Sequence, residues 1–116
     1  MEINKIIPAW AEGLDCAVTV CDANAVVIFM NARSRKTFEK YGDIIGHSLF
    51  DYHPEHACAT IRRLLAEDTS NTYSISKNGV KKIIHQTPWH HPDGKIGGLV
   101  ELSMVVPEEF PHYIRN

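Results

Sequence analysis

Cysteine is scarce in this chain of 116 residues: Cys16, Cys21 and Cys58 are an odd number with no paired spacing. A disulfide framework and a cysteine zinc site are therefore not expected, and a reducing cytoplasm is the default compartment. An excess of one charge is also lacking. Twelve Lys and Arg face 14 Asp and Glu, a formal charge of −2. A module that grips nucleic acid directly needs a strong basic excess to neutralise phosphates, so none is expected. No apolar run approaches the ~18 residues that cross a bilayer, which argues against membrane insertion. The opening Met1-Glu2-Ile3-Asn4-Lys5 lacks the charged-then-apolar plan of a secretory signal. Pro, Gly and Ser never cluster into a linker, and no segment repeats. What remains is ordinary globular composition, 44% hydrophobic and 22% charged, at a length that suits one domain.

Apolar spacing and turn residues place the elements. Ile3, Ile6, Ile7 and Trp10 share one helical face, with Pro8 as a kink and Gly13 as a stop. Residues 16–21 and 26–30 are rich in β-branched side chains and read as a hairpin. The intervening Asp22-Ala23-Asn24-Ala25 is its turn, with Asn24 as the candidate for positive φ. Asn31 suits the N-cap of a helix over 32–41, closed by Gly42. The basic residues Arg33, Arg35 and Lys36 sit awkwardly near the positive end of that helix. His53-Pro54-Glu55 opens the next helix, with Pro54 at its first position and an end near Glu67-Asp68. Three strands follow, at 72–77, 80–89 and 96–106, joined by Asn78-Gly79 and by His91-Pro92-Asp93-Gly94. The last ten residues, broken by Pro107 and Pro111, are expected to lie along the surface or lead to a partner.

Two strands, short helices and a three-stranded meander make an α+β layout, in which the helices must cover one face of a single antiparallel sheet. Four stretches resemble the PAS family of sensor domains. They are Asp22 to Asn31, Tyr41 to Phe50, Asn78 to Lys82, and Asp93 to Glu101. Together they span most of residues 16–106. Ala25 stands where the family usually has glycine, so the turn is expected to find its unusual backbone angles elsewhere. The resemblance implies a five-stranded antiparallel sheet in the order 2-1-5-4-3, with helices on one face. It also implies a sensory or interaction role without catalysis, in signal transduction or transcription regulation. A small ligand between sheet and helices, a signalling partner, and a homodimer using the helix within residues 1–15 belong to the same expectation.

Seven histidines invite a metal or haem reading, because neutral imidazole is a common ligand. Helix geometry tempers it. The face of Ala57, Cys58, Ile61, Leu64 and Leu65 turns His56 about 140° away from its centre. His53 falls on the flank. Surface or hydrogen-bonded histidines are therefore expected ahead of haem or metal. Nothing around the three cysteines matches the reactive-cysteine motif of the family's flavin photoreceptors, and flavin photochemistry is not expected. Any cofactor is otherwise left open.

The candidate pocket residues are His53, Cys58, Ile83, His85, Thr87 and Trp89. In the fourth strand, Ile83, His85, Thr87 and Trp89 alternate onto one face, a mixture that suits a polar-tipped pocket if that face looks inward. The bland alternative has Trp89 covering the sheet edge and His85 exposed. In the last strand Val100, Leu102, Met104 and Val106 form the apolar set, so Glu101 and Ser103 are expected to face outward. The basic cluster Arg33, Arg35, Lys36 and Lys40 reads as a solvated helix face. A competing reading is a cone-shaped isomerase-like enzyme, whose acid or base would come from Asp22, Asp51 or Glu101. Strand order separates the two: a sensor fold places the first strand between the second and the last.

Overall fold

The computed structural model describes residues 8–116. The expected face of Ile3, Ile6 and Ile7 lies outside the described residues. Helix α1 spans Ala9–Glu12 and is capped by Pro8, which precedes the helix and does not kink it. Strands β1 (Ala17–Asp22) and β2 (Val27–Met30) form the first hairpin. After α2 (Ala32–Thr37) come two 3₁₀ turns, Glu39–Tyr41 and Leu49–Tyr52, then α3 (Glu55–Glu67). Strands β3 (Asn71–Lys77), β4 (Val80–His90) and β5 (Ile96–Val106) complete the chain. Residues 107–116 are exposed and hold no helix or strand.

The five strands form one antiparallel sheet in the order β2-β1-β5-β4-β3. β1 therefore lies between β2 and β5, the arrangement that distinguishes a sensor fold from the isomerase-like alternative. Turn chemistry accounts for much of the meander. Asn78 and Gly79 both take positive φ, +53° and +78°, as a two-residue hairpin turn requires.

The first turn differs from expectation. Ala25, not Asn24, carries the positive φ, at +64°. Asp22 imposes it: Oδ1 accepts from the amides of Asn24 and Val26, and the Asp22 carbonyl accepts from Ala25. Ala25 is fully buried in the core, so tertiary packing overrides the local preference for Asn or Gly. The second helix is also shorter than expected. α2 ends at Thr37, and the 3₁₀ turn takes the chain to Gly42, where φ is +74°. In so short a helix Arg35 and Lys36 fall in the last turn, and the dipole conflict disappears for them. At α3, Pro54 is the N-cap and Glu55 the first helical residue, which leaves His53 one position outside.

The core is built from Cys21, Val27, Met30, Leu99, Ile44, Leu49, Ile61 and Leu64. These residues define the inner face of the sheet. Cys21 pairs with Leu99 across β1 and β5, and cross-strand partners share a face. Glu101 and Ser103 share the face of Leu99 and look toward the helices, opposite to the expectation. Val100, Leu102, Met104 and Val106 lie on the outer face. The inner face accepts polar residues because the helices supply partners for them: Thr19 Oγ1 is hydrogen-bonded to Ser34 Oγ of α2.

Candidate functional site

The sheet register arranges the inner face in rows. The first is apolar and contains Cys21 and Leu99. The next is polar: Thr19, Glu101, Gln86 and Asn71 face one another from β1, β5, β4 and β3. Asn71 Nδ2 donates to Gln86 Oε1 at 3.0 Å, and Gln86 Nε2 donates to Glu101 Oε2 at 3.0 Å. With Thr19–Ser34, polar side chains run from the outermost strand to α2. No buried side-chain nitrogen or oxygen among the described residues lacks a partner. Burial pushes the Cys21 thiol up to about 11, with smaller contributions from the charges of Asp22 and Glu101. Burial and Glu101 also raise Tyr73, which shares the next row with Ile84 and Ser103.

Beyond the polar row a cavity of about 480 Å³ opens between the sheet and α2. Ala17, Ser103, Val105 and Lys82 contribute from the sheet, and Arg33 and Lys36 from α2. Asp15 and Cys16 contribute from the segment that leads into β1. The volume is within the range of small-ligand sites, about 300–1,000 Å³. Burial, and then the charge of Asp15, raises the Cys16 thiol.

The basic helix thus has long-range partners. Arg33 pairs with Asp15, and Arg35 with Glu12. Arg35 Nη1 also donates to the Met30 carbonyl at 2.7 Å. The hydrogen bond from Arg35 holds the Glu12 carboxyl below its ordinary value. Buried Asn31 ties the same segment: Nδ2 donates to the carbonyls of Ala11 at 3.1 Å and Cys16 at 2.8 Å. The chain before β1 is therefore bound to α2 at one end of the cavity.

The six pocket candidates from the sequence do not converge. Cys58 is buried, and its thiol lies 3.5 Å from the carbonyls of Phe50 and His53. His53 is half-buried, and Nδ1–H donates to the Leu49 carbonyl at 2.8 Å. Ile83, His85 and Thr87 are on the outer face, since the buried residues of β4 are Ile84 and Gln86. His85 bonds to Thr72 and Thr87 to Ser70. Trp89 lies against Gly97 and donates its indole N–H to the Cys21 carbonyl at 3.0 Å. His56 is exposed, and no three His, Cys, Asp or Glu side chains among the described residues form a metal-binding group. Asp22 is engaged in its turn, and Asp51 is exposed. Among the described residues no helix is long and apolar enough to cross a membrane.

The inner row and the cavity went unread in the sequence. The Gln86–Glu101 pair could not be counted from the turn at 91–94: regular pairing from His90 and Ile96 would set Gln86 against Val100, and an irregularity between Trp89 and His90 shifts it to Glu101. The cavity has no sequence signal, because it depends on the path of residues 11–16 over α2.

A family model described as the PAS fold matches residues 11–109. No curated protein matches the chain. Among solved structures, a sensory box sensor histidine kinase from Vibrio cholerae is 18% identical with a TM-score of 0.62. That match covers 81% of this chain and 84% of the other. The PAS domain of the histidine kinase ThkA is 14% identical with a TM-score of 0.64, over 78% of this chain and 99% of that one. VqmA of Vibrio cholerae, described as a dimer and as a LuxR-type receptor with a target DNA, is 20% identical with a TM-score of 0.63. Here the match covers all of this chain and 58% of VqmA. A second structure is of VqmA bound to DPO, 22% identical with a TM-score of 0.63, over 91% and 58% of the two chains.

Proposed function

The chain belongs to the PAS fold family, and from that premise we propose that it is a non-catalytic sensor domain whose signal is a small polar molecule held in the inner-face cavity. The observation that carries the reading is the cavity itself. It has the volume of a ligand site, and both its sheet and its helix wall present polar or charged side chains. The DPO-bound VqmA structure supports the ligand reading by fold likeness. A ligand signals only if it binds two states of the domain with different affinity, and the segment bound to α2 is the element positioned to differ.

Filling the cavity tests this. In Ser103→Phe the ring occupies cavity space beside Ala17 and Val105. Native mass spectrometry of wild-type protein is expected to show an additional small-molecule mass, or to retain hits from a thermal-shift screen. Ser103→Phe is expected to bind the same molecules about tenfold more weakly or worse. Equal binding by a folded Ser103→Phe protein would overturn the reading.

The domain works as a homodimer through the outer face of the sheet. Val18, Val20, Val100, Leu102 and Met104 are apolar there, and none is fully buried. The description of VqmA as a dimer supports a homodimer by fold likeness, and the exposed apolar side chains point to the outer face. Sedimentation analysis is expected to give a dimer for wild-type protein and a monomer for Leu102→Lys. A monomeric wild type, or a dimer that survives Leu102→Lys, would refute it. Membership of a longer signalling or transcription-regulating protein fits the same role, since this chain spans just over half of VqmA.

A further inference from the structure

We propose that the cavity selects a ligand bearing a carboxylate or phosphate group, and that this group takes Arg33 from Asp15, transmitting occupancy to the segment before β1. The proposal rests on the cavity being the ligand site.

Charge is the first ground. The chain as a whole is acidic, yet the cavity is lined by three cations, Arg33, Lys36 and Lys82, against one acid, Asp15. The cations come from two separate elements: Lys82 from β4, the other two from α2. A run of charge along one solvated helix would not bring Lys82 to the same space. Neither Lys36 nor Lys82 has a carboxylate partner among the described residues. Two ammonium groups without a carboxylate partner among the described residues, and a guanidinium, around one cavity favour an anion and disfavour a cation.

The position of Asp15 is the second ground. Its carboxylate already occupies the guanidinium of Arg33 at the cavity edge. Both side chains are largely exposed, 57% for Arg33 and 84% for Asp15. Exposed pairs contribute little, so a better-held anion displaces this one readily. A ligand anion would gain the fork of Arg33 and the charges of both lysines together. Asp15 lies between α1 and β1, so its release loosens one of the ties on that segment. The Asn31 and Arg35–Glu12 ties remain, and the expected response is a local shift of α1 rather than unfolding. Trp10 is well placed to report it, being in α1 and 71% exposed.

The test is a ¹H–¹⁵N NMR titration with benzoate, its uncharged isostere benzamide, and inorganic phosphate, all at matched ionic strength. Benzoate is expected to move the amides of Asp15, Lys36, Lys82 and Ser103 together with the Trp10 indole. Benzamide is expected to bind about tenfold more weakly or worse. The double variant Lys36→Ala with Lys82→Ala should lose benzoate binding while keeping a folded spectrum. Asp15→Asn should bind benzoate severalfold more tightly, because the internal competitor is gone. Displacement of benzoate by phosphate would establish a general anion site, and failure to displace a carboxylate site. Equal binding of benzoate and benzamide would overturn the proposal and leave the cavity reading intact. Benzoate affinity unchanged or weakened in Asp15→Asn would refute the exchange. If neither benzoate nor phosphate moves the cavity amides at millimolar concentration the proposal fails, and the Ser103→Phe comparison then decides separately whether the cavity binds anything.

Discussion

Asn31→Ala is expected to destabilise the domain by about 3 kcal/mol or more, a large part of the roughly 5–15 kcal/mol that holds a domain folded. The side chain is fully buried. Oδ1 accepts from the Val18 amide at 2.9 Å and the Ser34 amide at 3.0 Å, and Nδ2 donates to Ala11 and Cys16. These four bonds fill the capacity of a carboxamide: two acceptor sites and two donors. Alanine removes all four. Loss of the N-cap alone costs about 0.5–2 kcal/mol. Each buried group left without a partner adds about 1–3 kcal/mol where water cannot replace the bond. Asn31→Asp separates the two halves of the role. It keeps the acceptor for Val18 and Ser34 but presents a carboxylate to the Ala11 and Cys16 carbonyls. Its α2 should persist while segment 9–16 detaches. Urea unfolding measures the first effect, and amide exchange at residues 9–16 the second. A loss under about 1 kcal/mol in Asn31→Ala would show that this network is not what joins the segment to the sheet.

The same residue shows what a sequence reveals. Asn31 was legible as an N-cap because capping is local, and Asn78-Gly79 as a hairpin because its turn admits few residues. Strand limits and strand order followed from such local chemistry and from the family resemblance. The partners of Asn31 in Ala11 and Cys16 were not legible, since they lie 20 and 15 residues away across a fold boundary. The basic cluster is exposed, as a solvated helix face should be, but its ion pairs were hidden for the same reason: the acids that meet Arg33 and Arg35, Asp15 and Glu12, are remote in sequence. The facing of β5 failed for another reason. Alternation assigns the apolar set to the core, but here the inner row is polar and satisfies itself through Asn71, Gln86 and Glu101. The apolar set instead looks outward, where no element of the described residues covers it completely. Ile83, His85 and Thr87, expected to line a pocket if their face looked inward, share that outer face with Met104, Leu102 and Val100.

Gly98→Ala is expected to be as severe as Asn31→Ala, about 3 kcal/mol or more, or to prevent folding. The reason is space and not backbone angle, since Gly98 is not among the positive-φ glycines. A Cβ at this position would stand 1.9 Å from the Cys21 carbonyl oxygen and 2.8 Å from the Asp22 carbonyl carbon. Both are backbone atoms of β1, so relief requires the β1 and β5 strands to separate where Asp22 pairs with Gly98 and Cys21 with Leu99. That point is also where the core begins, as Cys21 and Leu99 are both buried there. Gly97→Ala provides the control. Its Cβ would come within 2.2 Å of the Trp89 ring, a side chain that can turn aside. Turning breaks the indole bond to the Cys21 carbonyl, so a smaller loss of about 1–3 kcal/mol is expected, with altered Trp89 fluorescence. Thermal and urea unfolding of the two variants should therefore differ in size, and only Gly97→Ala should keep a native-like sheet. Gly98→Ala folding within about 1 kcal/mol of wild type would mean that β1 and β5 do not approach this closely. The facing of Thr19 and Glu101 across the inner row, and of Ala17 and Ser103 in the cavity wall, would then need a different register, because that one pairing of β1 with β5 places them.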